Sequence, residues 1–429
     1  MTRRFLQMVS CLDVFETPAG YRPTARNSLF QKALILSLPC LSLASFQPEV
    51  RAAEENQFEL RAILTVAGAR HAMIASKKVQ TGPYFLRVGQ SKNKIEMVSV
   101  DPATGKVAFK EDGVRRELRM DLPGGAVQDS LSPRGVLWLQ NATVADAVMI
   151  YQRVTTRIAL RATDMDPVRF NLRAQGLDTP KATVLLSEAF HDHRIDVIPN
   201  GKQFALVKPA GAAIPSIPNY ERIIQALTAT SRKASEDKHL PSGSINFPGI
   251  GIDQFLEFYA ELGGRTILRP FSLPSVSLTL QTQVPVNLWE AIYMMDMTLA
   301  LNGVKSTFLG DKFAAVTVLE YDTSQLDQPP APTKESKTIK AGAIKLNHAD
   351  SSQAYKLYKQ FTGSQVSFSP NLPSAAVALN NQTDLADNQA AYAIETTLHL
   401  NGIHLQRTDD NNVRAMPLAE AATPANDSP

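Results

Sequence analysis

The sequence predicts a multidomain α+β protein: a small all-β domain followed by three modules of the order β-α-β-β-α-β-β. Three observations carry this expectation. One pattern of short apolar runs and amphipathic stretches occurs three times, a glycine-punctuated stretch of alternating residues precedes it, and Pro-rich polar stretches separate the copies. At 429 residues, with 44% hydrophobic and 20% charged residues, the chain has material for several cores of modest size.

Residues 1–52 read as an export leader. Arg26 and Lys32 precede an apolar run over 33–46, and Val50-Arg51-Ala52 places small or apolar residues where a signal peptidase cuts, before Ala53. The run is too short to cross a bilayer comfortably and is interrupted by Pro39. An uncleaved inner-membrane anchor is the alternative. The formal charge of +3 resides here: six Lys/Arg against three acids up to residue 53 leave 38 basic and 38 acidic residues downstream. The body is therefore neutral, which argues against a nucleic-acid partner. Both cysteines, Cys11 and Cys40, also lie in the leader. A cleaved chain would have no disulfide, thiolate metal site or cysteine nucleophile, a pattern that fits a bacterial periplasm.

Residues 57–120 alternate over 60–66, 71–74, 84–88, 95–100, 107–110 and 117–120, divided by Gly68, Gly82, Gly89, Gly105 and Gly113. Such spacing predicts a small β-sandwich or barrel.

The three modules are expected at 135–208, 244–319 and 343–418. Each opens on a short apolar strand: Val136-Leu137-Trp138-Leu139, Ile245-Asn246-Phe247 and Ile344-Lys345-Leu346. An amphipathic helix follows, with Tyr151, Tyr259 or Tyr358 at the same distance and read as core. A strand running toward a proline, an alternating strand, a second helix (179–191, 287–301, 387–400) and a closing hairpin complete each copy. The hairpin turns carry Asn200-Gly201, Gly310-Asp311 and Asp409-Asp410-Asn411. Residues 209–243, with a short helix over 220–230, and the Pro-rich 320–342 read as linkers. Residues 419–429 read as a disordered tail.

The order of elements, with the second helix ending in Leu-Asn-Gly, resembles the N-terminal periplasmic module of bacterial outer-membrane secretins, shared with the signalling domain of some TonB-dependent receptors. The middle copy carries the likeness best, in Ile245-Asn246-Phe247, Asp253-Gln254-Phe255-Leu256, 276–280 and 298–304. The third keeps Leu400-Asn401-Gly402, whereas the first has His193-Arg194 at that turn. The run Tyr84-Phe85-Leu86-Arg87-Val88-Gly89, with 95–101 and Glu111-Asp112-Gly113, is similar to the small β-domain of the type II secretion inner-membrane clamp protein and its pilus-assembly relatives. No segment after Leu418 is of the length that forms a secretin pore.

The resemblance implies a non-catalytic periplasmic scaffold that binds envelope secretion or pilus proteins, a secretin among them, through sheet edges. By the same resemblance the contact residues are Tyr84, Phe85 and Arg87 on the β-domain and Ile245, Asn246 and Phe247 on the middle copy. A homo-oligomer is compatible with this reading, and no cofactor or small-molecule substrate is expected. A TonB-receptor-type signalling module is the alternative, and an exported glycan-binding protein or hydrolase a third class.

Chemistry-bearing patterns are sparse. His191-Asp192-His193 contains two ligand-capable imidazoles, but it falls at the end of a second helix, where the dipole and free carbonyls favour histidine. Gly249-Ile250-Gly251 lacks the third glycine of a phosphate loop, and Asn141-Ala142-Thr143 and His348-Ala349-Asp350 at the same point read as helix starts. Trp138 and Trp289 occupy apolar positions and read as core or rim.

Overall fold

The computed structural model describes residues 57–421 apart from 67, 78–82, 121–134, 164, 166–167, 224, 226–238, 334 and 410. The leader and residues 422–429 of the tail lie outside them, so the expectations made there are not addressed. The described chain is mixed α/β, with many small sheets.

The N-terminal strands form two packed sheets. Strands β1 (Phe58–Val66), β2 (Ala69–Ser76) and β3 (Tyr84–Arg87) pair antiparallel. Strands β4 (Ser91–Lys92), β5 (Ile95–Asp101), β6 (Lys106–Glu111) and β7 (Val114–Arg119) form a four-stranded meander. Phe58, Ile63, Met97 and Phe109 fill the space between them. The predicted sandwich does not close on itself, however. Strand β1 also pairs with β8 (Val136–Thr143), which pairs in turn with β10 (Arg169–Gln175), giving the order β10-β8-β1-β2-β3. Successive strand residues point to opposite faces. Thus Val136 and Trp138 enter the sandwich core while Leu137 and Leu139 face the helices of the first copy.

The element order recurs three times. The first copy comprises β8, α1 (Val144–Thr155), β9 (Ile158–Arg161), β10, α2 (Thr179–Asp192), β11 (Ile195–Asn200) and β12 (Phe204–Pro209). The second comprises β13 (Asn246–Gly251), α3 (Ile252–Gly263), β14 (Thr266–Leu268), β15 (Ser277–Gln281), α4 (Leu288–Leu301), β16 (Val304–Leu309) and β17 (Phe313–Val318). A short strand, β18 (Thr338–Ile339), precedes the third copy. That copy holds β19 (Lys345–Asp350), α5 (Ser351–Thr362), β20 (Gln365–Phe368), β21 (Ala376–Asn380), β22 (Leu385–Ala386), α6 (Asp387–Leu400), β23 (Ile403–Arg407) and β24 (Asn412–Pro417). In each, the first strand pairs antiparallel with the third, and the last strand lies between the second, parallel to it, and the strand just before it in the chain.

Local chemistry explains the helix starts. Thr143 and Asn287 form reciprocal capping boxes with Asp146 and Glu290, while Asp178 and Asp350 accept from the first-turn amides. Two residues before each first helix's N-cap, the strand carries a bulge at a positive-φ residue: Asn141, Gly249 and His348. A glycine there removes the strain.

The copies are joined by shared cores. Ile158, Leu160, Phe204 and Leu206 of the first belong to the same cluster as Tyr259, Tyr293 and Leu299 of the second. Leu268, Phe313 and Ala315 of the second join Tyr358, Tyr392 and Leu398 of the third. Both junctions repeat two contacts. The Thr163 amide donates to Asn302 Oδ1 at 2.8 Å, and the Phe271 amide to Asn401 Oδ1 at 2.7 Å. Phe204 packs on Tyr293 with centroids 5.1 Å apart, and Phe313 on Tyr392 at 5.3 Å.

The stretches read as linkers are packed where they are described. Ile217 and Ile223 are buried in the second copy's core, and Arg222 pairs with Asp311. Leu326 is buried in the third copy's core, and the carbonyls of Asp327, Pro330 and Ala331 accept from Tyr392, Gln389 and Asn388 along α6. Leu418–Ala421 forms a last helical turn, α7, whose Glu420 accepts from Ser369 Oγ at 2.9 Å.

Candidate protein-interaction edges

The first strand of each copy is anchored from one side. The Ile245 carbonyl accepts from the Thr282 amide at 2.9 Å, and the Ile245 amide reaches Thr282 Oγ1. In the third copy Ile344 bonds in the same way to Asn381. Because successive residues of an antiparallel ladder turn their polar groups to opposite sides, the amide and carbonyl of Asn246 and of Lys345 face away from β15 and β21. Among the described residues no strand pairs on that outer side of β13 or β19. The corresponding residue of the first copy is Trp138, and there β1 fills the place, with Ile63 opposite it.

The sequence-derived candidates divide accordingly. Ile245 is fully buried, and Phe247 is half-buried with its ring against Phe255 and Phe258. Asn246 is exposed. On the β-domain, β3 is one edge strand of the five-stranded sheet, β10 being the other. Phe85 is buried, stacked on His71 at 5.2 Å and covered by the Arg153 guanidinium. Burial first, then the Arg153 charge, lowers the His71 pKa. Tyr84 is half-buried and Arg87 exposed. Asn246 is exposed between the inward Ile245 and Phe247, whereas β3 does not alternate: Phe85 and Leu86 are both buried, and Arg87 and Val88 are both exposed. A cleft nearby is lined by Pro83 ahead of β3, Ala145 and Met149 of α1, and Pro248 of β13, and none of the six candidates is among its lining residues.

A strongly shifted pair of titratable groups, Asp296 and Tyr259, lies in the core and not at an edge. Asp296 of α4 is 1% exposed, and burial pushes its pKa up to about 7. It accepts from the Tyr259 hydroxyl at 2.7 Å and from Asn219 Nδ2 at 3.2 Å, and Tyr259 also meets Ser306 Oγ at 3.0 Å. Asn219 comes from the segment before the copy, and its own carbonyl oxygen accepts from the Phe308 amide at 2.8 Å. Sequence reasoning placed Tyr259 in the core but missed Asp296 and Asn219, whose partners are distant in the chain. Tyr358 and Glu395 repeat the pair in the third copy at 2.6 Å.

His191 Nδ1 lies 3.8 Å from Asp196, and His193 is the C-cap of α2 with its ring edge-on to Phe170. Among the described residues no cluster of three or more His, Cys, Asp or Glu has the geometry to hold a metal, and no helix is long and apolar enough to cross a membrane. No family model, curated protein or solved structure matches this chain.

Proposed function

We propose that this protein is a non-catalytic scaffold of the bacterial periplasm that captures partner proteins by accepting an extended strand at the outer edge of β13. The observation that carries the reading is internal: β1 already occupies that edge in the first copy, so the same structural position accepts a strand within this chain. The second copy leaves it open with a neutral Asn246, whereas the third carries Lys345 there, a residue that discourages strand pairing. The buried Asp296 network supports a structural role for this strongly shifted carboxyl group, because both carboxylate oxygens are engaged and enclosed.

By the family resemblance, the partners are proteins of a secretion or pilus-type envelope machine. A TonB-receptor-type signalling module would use the same edge with a regulator instead. The edge reading is tested by exchanging backbone for side chain. Asn246→Pro removes the outward amide and should reduce partner recovery from envelope fractions at least tenfold, while Asn246→Ala changes it less than twofold. Recovery that survives Pro but falls with Ala would assign recognition to the side chain and end the strand-addition reading. Arg87→Glu tests the neighbouring edge in the same assay.

A further inference from the structure

The same docking surface is used at both junctions between copies, and its residues change at the two places where it would be used again. Four equivalent positions make it. On the outgoing side, the residues after Ala162 and Pro270 donate the amide, Thr163 and Phe271, and the first residue of the last strand supplies the aromatic ring, Phe204 and Phe313. On the incoming side, the C-cap of the second helix accepts the amide, Asn302 and Asn401, and the sixth residue of that helix meets the ring, Tyr293 and Tyr392.

At the outgoing end of the third copy these positions hold Pro370, which has no amide to donate, and Asn412, which is exposed. Two residues on, Arg414 is exposed where Leu206 and Ala315 are buried in the junctions. At the incoming end of the first copy they hold His193 for the asparagine and Val184 for the tyrosine, and Val184 is 55% exposed. The helices follow suit. Helix α4 is buried all round from Ala291 to Ala300, clamped between two sheets, while α2 buries only Ala182, Leu186 and Phe190.

We propose that the two end faces are docking surfaces closed by substitution, so that one chain is a finished set of three copies and does not add a second copy of itself head to tail. Repeat arrays need end units with polar outer faces, because an unmodified end would accept the next repeat without limit. Loss of the complementary group on both ends, at matching positions, is what such closure requires. It leaves the lateral strand edges as the places for partners.

The test opens one end at a time in the full chain. Val184→Tyr, Glu188→Met and His193→Asn open the incoming face, Glu188 lying where α4 carries Met297. Pro370→Thr, Asn412→Phe and Arg414→Leu open the outgoing face. Each triple variant alone should sediment like the wild type, and an equimolar mixture should show a species of twice that mass. The six-fold variant should grow with concentration beyond a dimer. Circular dichroism establishes that each variant is folded, and if a triple variant is not, the pairs His193→Asn with Val184→Tyr and Pro370→Thr with Asn412→Phe replace it. A mixture of folded variants that stays at the wild-type mass overturns the proposal, as does wild-type protein whose own head-to-tail assembly is lost on Asn412→Lys.

Discussion

The opening strands of the first and second copies occupy the same position in the same topology, yet one lies in the middle of a five-stranded sheet and the other at an edge. In the first, Trp138 is 2% exposed because the β4–β7 sheet covers the face it points to, and Arg173 lies over its ring at 4.9 Å. In the second, Asn246 stands in water at the corresponding place. The difference extends inward: the ninth residue of the second helix is Ser187 in the first copy and the enclosed Asp296 in the second. A repeated fold thus tolerates opposite environments when a few positions change polarity together, and those positions tell which copy already has its neighbour.

The largest expected effect tests that assignment directly. Trp138→Ala should cost about 3–5 kcal/mol in urea unfolding, the range for truncating a buried large aromatic side chain. Asn246→Ala and Lys345→Ala, at exposed positions, should each stay within roughly 0.5 kcal/mol. Equal losses at all three would erase the distinction between covered and open copies.

Next comes the buried carboxylate. Desolvation raises the Asp296 pKa from its ordinary 3.8 to about 7, so the folded protein holds a proton there that the unfolded chain releases between those values. Wild-type stability therefore carries a contribution that is present at low pH and is lost as pH rises from about 4 to about 7. Asp296→Asn cannot titrate. Its stability relative to wild type should rise over that interval, by up to about 4 kcal/mol at roughly 1.4 kcal/mol per pH unit, and level off above pH 8. Parallel denaturation midpoints for the two proteins from pH 4 to 8 would show instead that the carboxylate is ionised throughout.

The smallest effect compares the junctions with the free end. Asn302→Ala removes an acceptor for the Thr163 amide and a donor to the Arg161 carbonyl, and should cost about 1–2 kcal/mol. Asn401→Ala should behave alike, and His193→Ala should fall below about 0.5 kcal/mol because no copy docks there. Thermal scans of the three variants rank them, and a His193→Ala loss equal to the others would mean that this end makes a contact of the same kind.

Much of this is written locally. The helices follow their apolar spacing and caps, and the hairpins their turn residues, so the seven-element order can be read without the fold. Even the covered edge has a local signature: Val136-Leu137-Trp138-Leu139 is apolar on every residue, as a strand buried on both faces must be, whereas Ile245-Asn246-Phe247 and Ile344-Lys345-Leu346 alternate. What fills the second face is not local, since β1 is more than seventy residues earlier. The packed role of 209–223 is equally hidden. Pro215, Pro218 and polar neighbours have spacer composition, and only the distant Asp296 and Phe308 make Asn219 a core residue. Leu-Asn-Gly is legible as a helix end, while the amide that its asparagine accepts belongs to the preceding copy.

The Asn219 contact also bears on how the protein responds to pulling. A flexible spacer between domains lengthens under small forces and lets its neighbours drift apart. Here the segment leaving the first copy is pinned in the second through Ile217, Asn219 and Ile223, and the segment leaving the second is strapped to α6 through the Asp327, Pro330 and Ala331 carbonyls. Tension applied between the β-domain and the last strand must break buried contacts before any slack is released. The chain would then transmit displacement across its length as a strut does, holding whatever binds at one edge at a set distance from whatever binds at another.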